Sequence, residues 1–320
     1  MLGFWERLKR PFLVLAPMDD VTDVVFRQVV SEVAPPDVYV TEFTNCEALW
    51  SPGRAAHSQR LLFEEAQRPI VAQIWGVNPE NYFKTARMLG EMGFDGIDIN
   101  MGCPDKAVRK SGACSALIDD RALAAEVIAA TQEGAGNLPV SVKTRLGVRA
   151  VQTEDWMGWL LEKDLAVIAI HGRTVAQMSR VPADWNEIER AVVLRDQMEK
   201  ETLIVGNGDV TSWQQAQDLA KKHVVDGVMI GRGIFQDLWV FDAERSGADK
   251  SLEERFRWLD RHLELWEERW GQTGKNPAIM KKFVKVYVAG LPGAQRIRSR
   301  FMEAKGISDM RAVAAQLIDS

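Results

Sequence analysis

The chain has few cysteines, no long apolar run and no overall excess of positive charge. Its three cysteines, Cys46, Cys103 and Cys114, are odd in number, and none is spaced from another as CxxC. That usage excludes a disulfide framework and the common zinc motifs, so no metal is expected. It fits a reducing cytoplasm, where a single thiol stays available for chemistry. No stretch approaches 18 uninterrupted apolar residues, which excludes a transmembrane helix. The opening MLGFWERLKRPF carries positive charge with no apolar stretch behind it, unlike a signal peptide. A net charge of −5 disfavours nonspecific nucleic-acid binding. The charge is uneven, however: residues 275–320 hold nine Lys/Arg against three acids, a net of +6. Such a tail reads either as the seat of a polyanionic partner or as a solvated helix surface.

What is present is ordinary globular composition, 46% apolar and 27% charged, arranged in a repeating order. Short apolar runs recur at Phe12–Ala16, Val38–Phe43, Ile70–Ile74, Gly96–Asn100, Val140–Arg145, Val167–His171, Leu203–Asn207 and Gly227–Ile230. Helical patterns such as Pro79–Met92, Asp120–Gly134 and Ser212–Lys222 lie between them. Strand–helix alternation predicts a parallel sheet, and eight units predict a closed barrel. A doubly wound open sheet is the alternative, but no Gly-x-Gly-x-x-Gly follows the first run. From Ser251 the pattern changes: Leu252, Phe256, Leu259, Leu263, Trp266 and Trp270 form one seam of a helix that packs on other helices. Asn276-Pro277 opens a further helical stretch and Leu291-Pro292-Gly293 breaks it. The expectation is an α/β chain: a (β/α)8 TIM barrel over residues 1–245, then a small C-terminal helical domain over 246–320. Nothing demands a second subunit, so a monomer is expected.

Active sites of such barrels lie at the C-terminal ends of the strands, and those ends are polar here. They carry Pro17-Met18-Asp19, Glu42, Gln73, Asn100, Lys143 and Arg145, His171-Gly172-Arg173, Asn207-Gly208-Asp209 and Gly231-Arg232. Burying such groups without partners costs about 1–3 kcal/mol each, so a ligand that satisfies them is expected. The glycine-rich ends of the last two strands suit a phosphate, since glycine lets backbone N–H groups approach its oxygens and Arg232 adds a charged fork. Each loop alone reads as a tight turn. Together with Lys143 and Gln73 they favour a phosphorylated cofactor such as a flavin, with Lys143 beside the anion that forms on reduction and Gln73 at the ring's polar edge.

The sequence Asn100-Met101-Gly102-Cys103-Pro104, followed by Lys106, Val108 and Ser115-Ala116-Leu117, closely resembles the signature of the tRNA-dihydrouridine synthases. Ala16-Pro17-Met18, Val142-Lys143-Thr144-Arg145, His171-Gly172-Arg173-Thr174, Ala183-Asp184-Trp185, Asn207-Gly208-Asp209 and Gly231-Arg232-Gly233 match in the same order. The resemblance is strong over about residues 12–240. It continues weakly at Lys281-Lys282-Phe283 and Leu291-Pro292-Gly293-Ala294, which look like the family's helical RNA-binding domain.

The resemblance implies bound FMN, NADPH as reductant and tRNA as substrate. The C5–C6 double bond of uridine would take a hydride at C6 from flavin N5 and a proton at C5 from Cys103. Pro17, Met18, Asp19, Gln73, Lys143, His171, Asn207, Gly208, Asp209, Gly231 and Arg232 would surround the cofactor. Asn100 and Arg145 would hold the uracil, and Lys106, Arg173, Lys282, Arg296 and Arg298 would meet the RNA, with Arg109 and Lys110 bordering the same loop. Trp185 reads as packing. Two departures stand out: Cys114 replaces a glycine common in relatives, and Gln177-Met178-Ser179-Arg180 lacks their aromatic residue. A small-molecule FMN reductase of pyrimidines or enones is the alternative reading, and a noncatalytic RNA-binding barrel is a third.

Overall fold

The computed structural model describes residues 2–52 and 54–319. The strands are β1 (Phe12–Leu15), β2 (Val38–Val40), β3 (Thr44–Asn45), β4 (Ile70–Trp75), β5 (Gly96–Met101), β6 (Val140–Arg145), β7 (Val167–His171), β8 (Leu203–Asn207) and β9 (Gly227–Ile230). All pairings are parallel, and β2 pairs with both β1 and β4, which closes eight strands into a barrel; β3 is a two-residue addition on β4. These eight strands are the eight apolar runs of the sequence. The second ends at Val40, three residues before Phe43.

Side chains alternate along a strand, and one set fills the barrel. Phe12, Val14, Ala16, Val38, Val40, Val71, Val167, Ala169, Leu203, Val205 and Met229 belong to one buried cluster. The N-terminal segment contributes to it as well. In the turn Gly3–Arg7, Phe4 stacks on Trp5, which lies 5.4 Å from the Phe12 ring. Phe4 also approaches Gly96, at the start of β5. The segment thus plugs the N-terminal ends of the strands, opposite the polar ends.

Cα proximity divides the chain into two compact units. The first holds the barrel: residues up to Val24, Pro36–Val210 and Gln215–Gly231. The second comprises Val25–Pro35, Thr211–Gln214 and the chain from Arg232 on. Its centre is the helix Leu252–Trp270, capped by Ser251, whose hydroxyl accepts from the Glu254 N–H at 3.1 Å. The seam runs as the spacing predicts, with Phe256, Leu259, Leu263, Trp266 and Trp270 buried. Its His262 ring packs with those of Phe26, Phe283 and Tyr287, and the helices Ala294–Glu303 and Ile307–Ile318 follow. Burial holds His262 down to about 3, so it stays a neutral partner of the Tyr287 hydroxyl at 2.9 Å. Among the described residues no helix is long and apolar enough to cross a membrane.

Candidate active site

The alternation that places valines inside the barrel places polar groups there nearer the C-terminal ends. Asp98 and Asn100 share one face of β5, Ser141, Lys143 and Arg145 share one of β6, and Gln73, His171 and Asn207 stand on β4, β7 and β8. In register, Gln73 pairs with Asp98, Asn100 with Lys143, Arg145 with His171, and His171 with Asn207. A connected network results. Gln73 donates to Asp98 Oδ2 at 2.7 Å and accepts from Asn100 Nδ2 at 2.9 Å. Ser141 donates to Asp98 Oδ1 at 2.7 Å. Lys143 reaches across β7 to Asn207 Oδ1 at 3.1 Å, because the β7 residue between them is only Ala169. Asn207 in turn donates to the Met229 carbonyl at 2.8 Å.

Burial sets the charges of this network. It lifts the Asp98 carboxyl to about 6, against the pull of Ser141, Gln73 and the Lys143 charge. It lowers the Lys143 ammonium to about 8, helped by repulsion from Arg145. Lys143 therefore stands in the barrel with a neutral amide as its hydrogen-bond acceptor. A second anion beside it would be held strongly.

The loop after β5 carries the thiol. Asn100 Oδ1 accepts from the N–H groups of Gly102 and Cys103, both at 3.0 Å. Ser115 donates to the Cys103 carbonyl at 2.6 Å, and Arg145 Nε donates to the Gly102 carbonyl at 2.9 Å. Asn100, expected at the base, is thus also the peg that shapes the loop. Cys103 is half-buried, and its thiol is lowered to about 7. The main cause is a hydrogen bond from Cys114; the Asp105 N–H and the Arg145 charge add to it, against burial and the Asp105 carboxylate. Cys114 is itself buried and pushed well up. Its backbone has φ +53°, a left-handed value that favours glycine. The departure at position 114 therefore supplies a thiol donor to Cys103 at the cost of an unfavourable backbone. Cys46 is wholly buried, and its thiol is pushed up by desolvation.

Several expected site residues have partners that change their reading. Arg173, expected to meet RNA, is only 2% exposed. Its guanidinium pairs with Asp209, meets His171 Nε2 at 3.0 Å and donates to the Val181 carbonyl at 2.6 Å. Arg173 is thus a buried tie between the loops after β7 and β8, and its partner Asp209 also accepts from the Ala183 N–H at 2.8 Å. Asp19, expected beside the cofactor, pairs with Arg60, which also meets Glu42 at 3.2 Å. The oxygens of Asp19, Asp20 and Glu42 converge within 4.8 Å, and Arg60 supplies the opposing charge. Trp185 is buried, and its indole N–H donates to the Gly208 carbonyl at 3.1 Å, so it holds the loop after β8.

Gly208 has φ +134°, and a Cβ there would stand 2.5 Å from Ala183 Cβ and 3.3 Å from His171. Only glycine allows this turn. Pro17 and Met18 are half-buried at the end of β1, where Met18 N–H donates to the Thr22 hydroxyl at 2.9 Å. A Cβ on Gly231 would lie 3.4 Å from Ala16 Cβ and 3.7 Å from Met18 Sδ. Arg232 is exposed and opens the turn Arg232–Phe235. In the second unit, the charges of Arg298 and Lys282 bear on Lys285, whose pKa burial and that repulsion lower. Arg296 is exposed on the helix Ala294–Glu303.

Sequence reasoning passed over Asp98 and Ser141. A signal existed: Asp98 and Asn100 are two apart in a strand whose other face is Ile97 and Ile99. Arg60 had no such signal, since nothing local ties it to Asp19 or Glu42.

Comparison with known proteins agrees with this construction. The family description "Dihydrouridine synthase (Dus)" matches residues 14–319. A protein of Staphylococcus aureus (strain COL) named "Probable tRNA-dihydrouridine synthase" is 45% identical over 315 residues, covering 97% of this chain and 94% of its own length. The "Probable tRNA-dihydrouridine synthase 2" of Bacillus subtilis (strain 168) is 45% identical over 313 residues, covering 97% and 95%. Among solved structures, histamine dehydrogenase from Rhizobium sp. 4-9 superposes with a TM-score of 0.56 at 12% identity, over 96% of this chain and 62% of that one. Morphinone reductase in complex with tetrahydroNAD gives 0.50 at 15% identity, over 71% and 84%. At such identities these two show the barrel fold alone. The family match over nearly the whole length, on a barrel whose thiol loop follows β5, establishes that the chain belongs to the dihydrouridine synthase family.

Proposed function

We propose that this chain is a tRNA-dihydrouridine synthase: it binds FMN, draws electrons from NADPH and saturates the C5–C6 bond of uridines in tRNA, with Cys103 as the proton donor to C5. The observation that carries the proposal is the Cys103 thiol, half-buried in a loop pegged by Asn100, Ser115 and Arg145, on a barrel that also encloses Lys143.

The donor set fits an anionic planar cofactor with a phosphate tail. Lys143 offers a buried positive charge whose hydrogen-bond acceptor is only an amide. The space beside Ala16 and Met18 is one that a side chain on Gly231 would enter, and the backbones of Gly208 and Gly231 suit phosphate oxygens. Pro17, Met18 and His171 line the same strand ends. Gln73 spends its oxygen on Asn100 and one N–H on Asp98, which leaves its second N–H as its contribution. FMN, when bound, supplies the hydride for C6. The protein's part is to hold the uracil with Asn100 and Arg145, exclude water and keep a proton on Cys103. In the second unit Lys282, Arg296 and Arg298 supply positive charge for RNA phosphates. The target nucleotide must leave the base stack to reach the barrel.

The test is mass-spectrometric mapping of dihydrouridine in tRNA from cells with and without the gene, paired with purified protein, NADPH and an unmodified tRNA transcript. Loss of dihydrouridine at defined positions, restored in vitro, is the expected result. Equal rates on free uridine or a simple enone would point to a small-molecule reductase.

Cys114 carries a second expectation. An acid donates only when protonated, so turnover falls as pH rises through the Cys103 pKa, set near 7 by the Cys114 thiol. Cys114→Gly removes that hydrogen bond and suits the left-handed backbone. Cys103 should return toward the ordinary thiol value of about 8.5, and the alkaline limb of the rate profile should move up by about one pH unit or more. Superimposable alkaline limbs would show that Cys114 does not set this titration.

A further inference from the structure

Beside the thiol loop lies a cavity of about 300 Å³, bordered by Pro104, Lys106, Arg109, Arg149, Met178 and Arg180 among others. None of its lining residues is acidic, and four are cationic. The cations come from three separate segments, the short helix Lys106–Lys110 after β5 and the loops after β6 and β7, all within the barrel unit. One of these cations is incompletely satisfied by the protein: Arg109 Nε is buried and has no hydrogen-bond partner among the described residues. Leaving such a group unsatisfied costs about 1–3 kcal/mol, more when it is charged. Arg180 is anchored at the rim through the Ala176 carbonyl at 3.2 Å. Behind the cavity, Arg145 ties its walls together. It donates to the Gly102 carbonyl on one loop, and to those of Thr174 and Met178 on another at 3.2 and 3.1 Å. The cavity and Cys103 therefore share one frame, so an anion held in the first is placed relative to the second.

We propose that this cavity binds a backbone phosphate of the RNA substrate next to the reacting nucleotide, and that Arg109, Arg149 and Arg180 set the register of the strand over Cys103. The inference rests on the RNA-uridine reading above and gives it a specific anchor. Guanidinium forks suit phosphate oxygens, and phosphate contacts position a nucleic acid without reading its bases. Arg149 and Arg180 are exposed, so removing them leaves the packing of the barrel intact.

The experiment measures binding of an unmodified tRNA transcript to FMN-loaded protein by fluorescence anisotropy across a salt series. Arg149→Ala/Arg180→Ala is expected to weaken binding about tenfold at moderate salt and to lower the log–log salt slope by about 1. Arg149→Lys/Arg180→Lys should restore most of the slope, because it restores the charge. Unchanged affinity and slope in the alanine pair would overturn the proposal, even if the wild type reduces tRNA. A lysine pair as weak as the alanine pair would also overturn it. If binding responds as expected but wild-type protein forms no dihydrouridine, the phosphate anchor stands and the reductase reading fails. A wild type that does not bind the transcript sinks both.

Discussion

Cys103→Ala is expected to retain bound FMN and its reduction by NADPH, and to lose uridine reduction by about 10²- to 10⁴-fold. The reasoning starts from the proton. Hydride delivery at C6 leaves negative charge at C5 and the adjoining carbonyl, and the product needs a proton at C5. The Cys103 thiol is placed for that task by its loop, in which Asn100 Oδ1 accepts from two successive N–H groups and Ser115 and Arg145 fix the carbonyls. Its value near 7 keeps a working fraction protonated at neutral pH while making the proton easy to release. None of these contacts uses the sulphur to hold the loop, so alanine should preserve the loop and the cofactor site. The readouts are flavin absorbance for retention, anaerobic bleaching by NADPH for the first half of the reaction, and dihydrouridine in a tRNA transcript for the second. Wild-type turnover in the variant would remove Cys103 from the acid role. Loss of the flavin together with turnover would instead make the residue structural.

Lys143→Met should act on the other half-reaction. The methionine keeps most of the side-chain volume, so the change is chiefly one of charge. Lys143 is a cation enclosed by the barrel, with Asn207 as its hydrogen-bond acceptor. Removing a charge that stabilises a developing anion in an enclosed site typically costs about 10²- to 10³-fold in rate. Bleaching by NADPH is expected to slow by that order, and FMN to bind more weakly, as read by quenching of its fluorescence on titration. The pH dependence has a definite sign. With burial holding its pKa to about 8, Lys143 carries its charge below that value and loses it above. The advantage of the wild type over the variant should therefore be largest on the acid side and shrink as pH rises through 8. A bound anion would move this crossing upward, toward the ordinary lysine value. Equal bleaching rates at all pH values would show that Lys143 does not serve the cofactor.

Position 114 illustrates how far a sequence reads before contacts are known. As a letter it is a cysteine where relatives often have glycine. Only the folded loop shows that this thiol lowers that of Cys103 and that the backbone is left-handed there. Arg173 illustrates the reverse. A basic residue after a strand end reads as an RNA contact, but the fold buries it against Asp209, His171 and Val181.

The sequence by itself determined the parallel α/β alternation and favoured a barrel over an open sheet, because eight apolar runs with helices between them bury both faces of each strand; the pairing of β2 with β4 closed it. Position at the C-terminal ends of the runs also placed Asn100, Lys143, Arg145 and Asn207 at the polar end, and the spacing of Phe256 to Trp270 defined the packing seam of the last long helix. Only the tertiary structure decided which polar groups meet. Asp98, Ser141 and Gln73 come from three strands, Cys103 and Cys114 from either side of the short helix Lys106–Lys110, and Lys106, Arg109, Arg149 and Arg180 from that helix and two loops. The physical reason is range: periodicity is a local property of the chain, whereas a shared proton or a common anion depends on distances of a few ångströms between residues far apart in sequence.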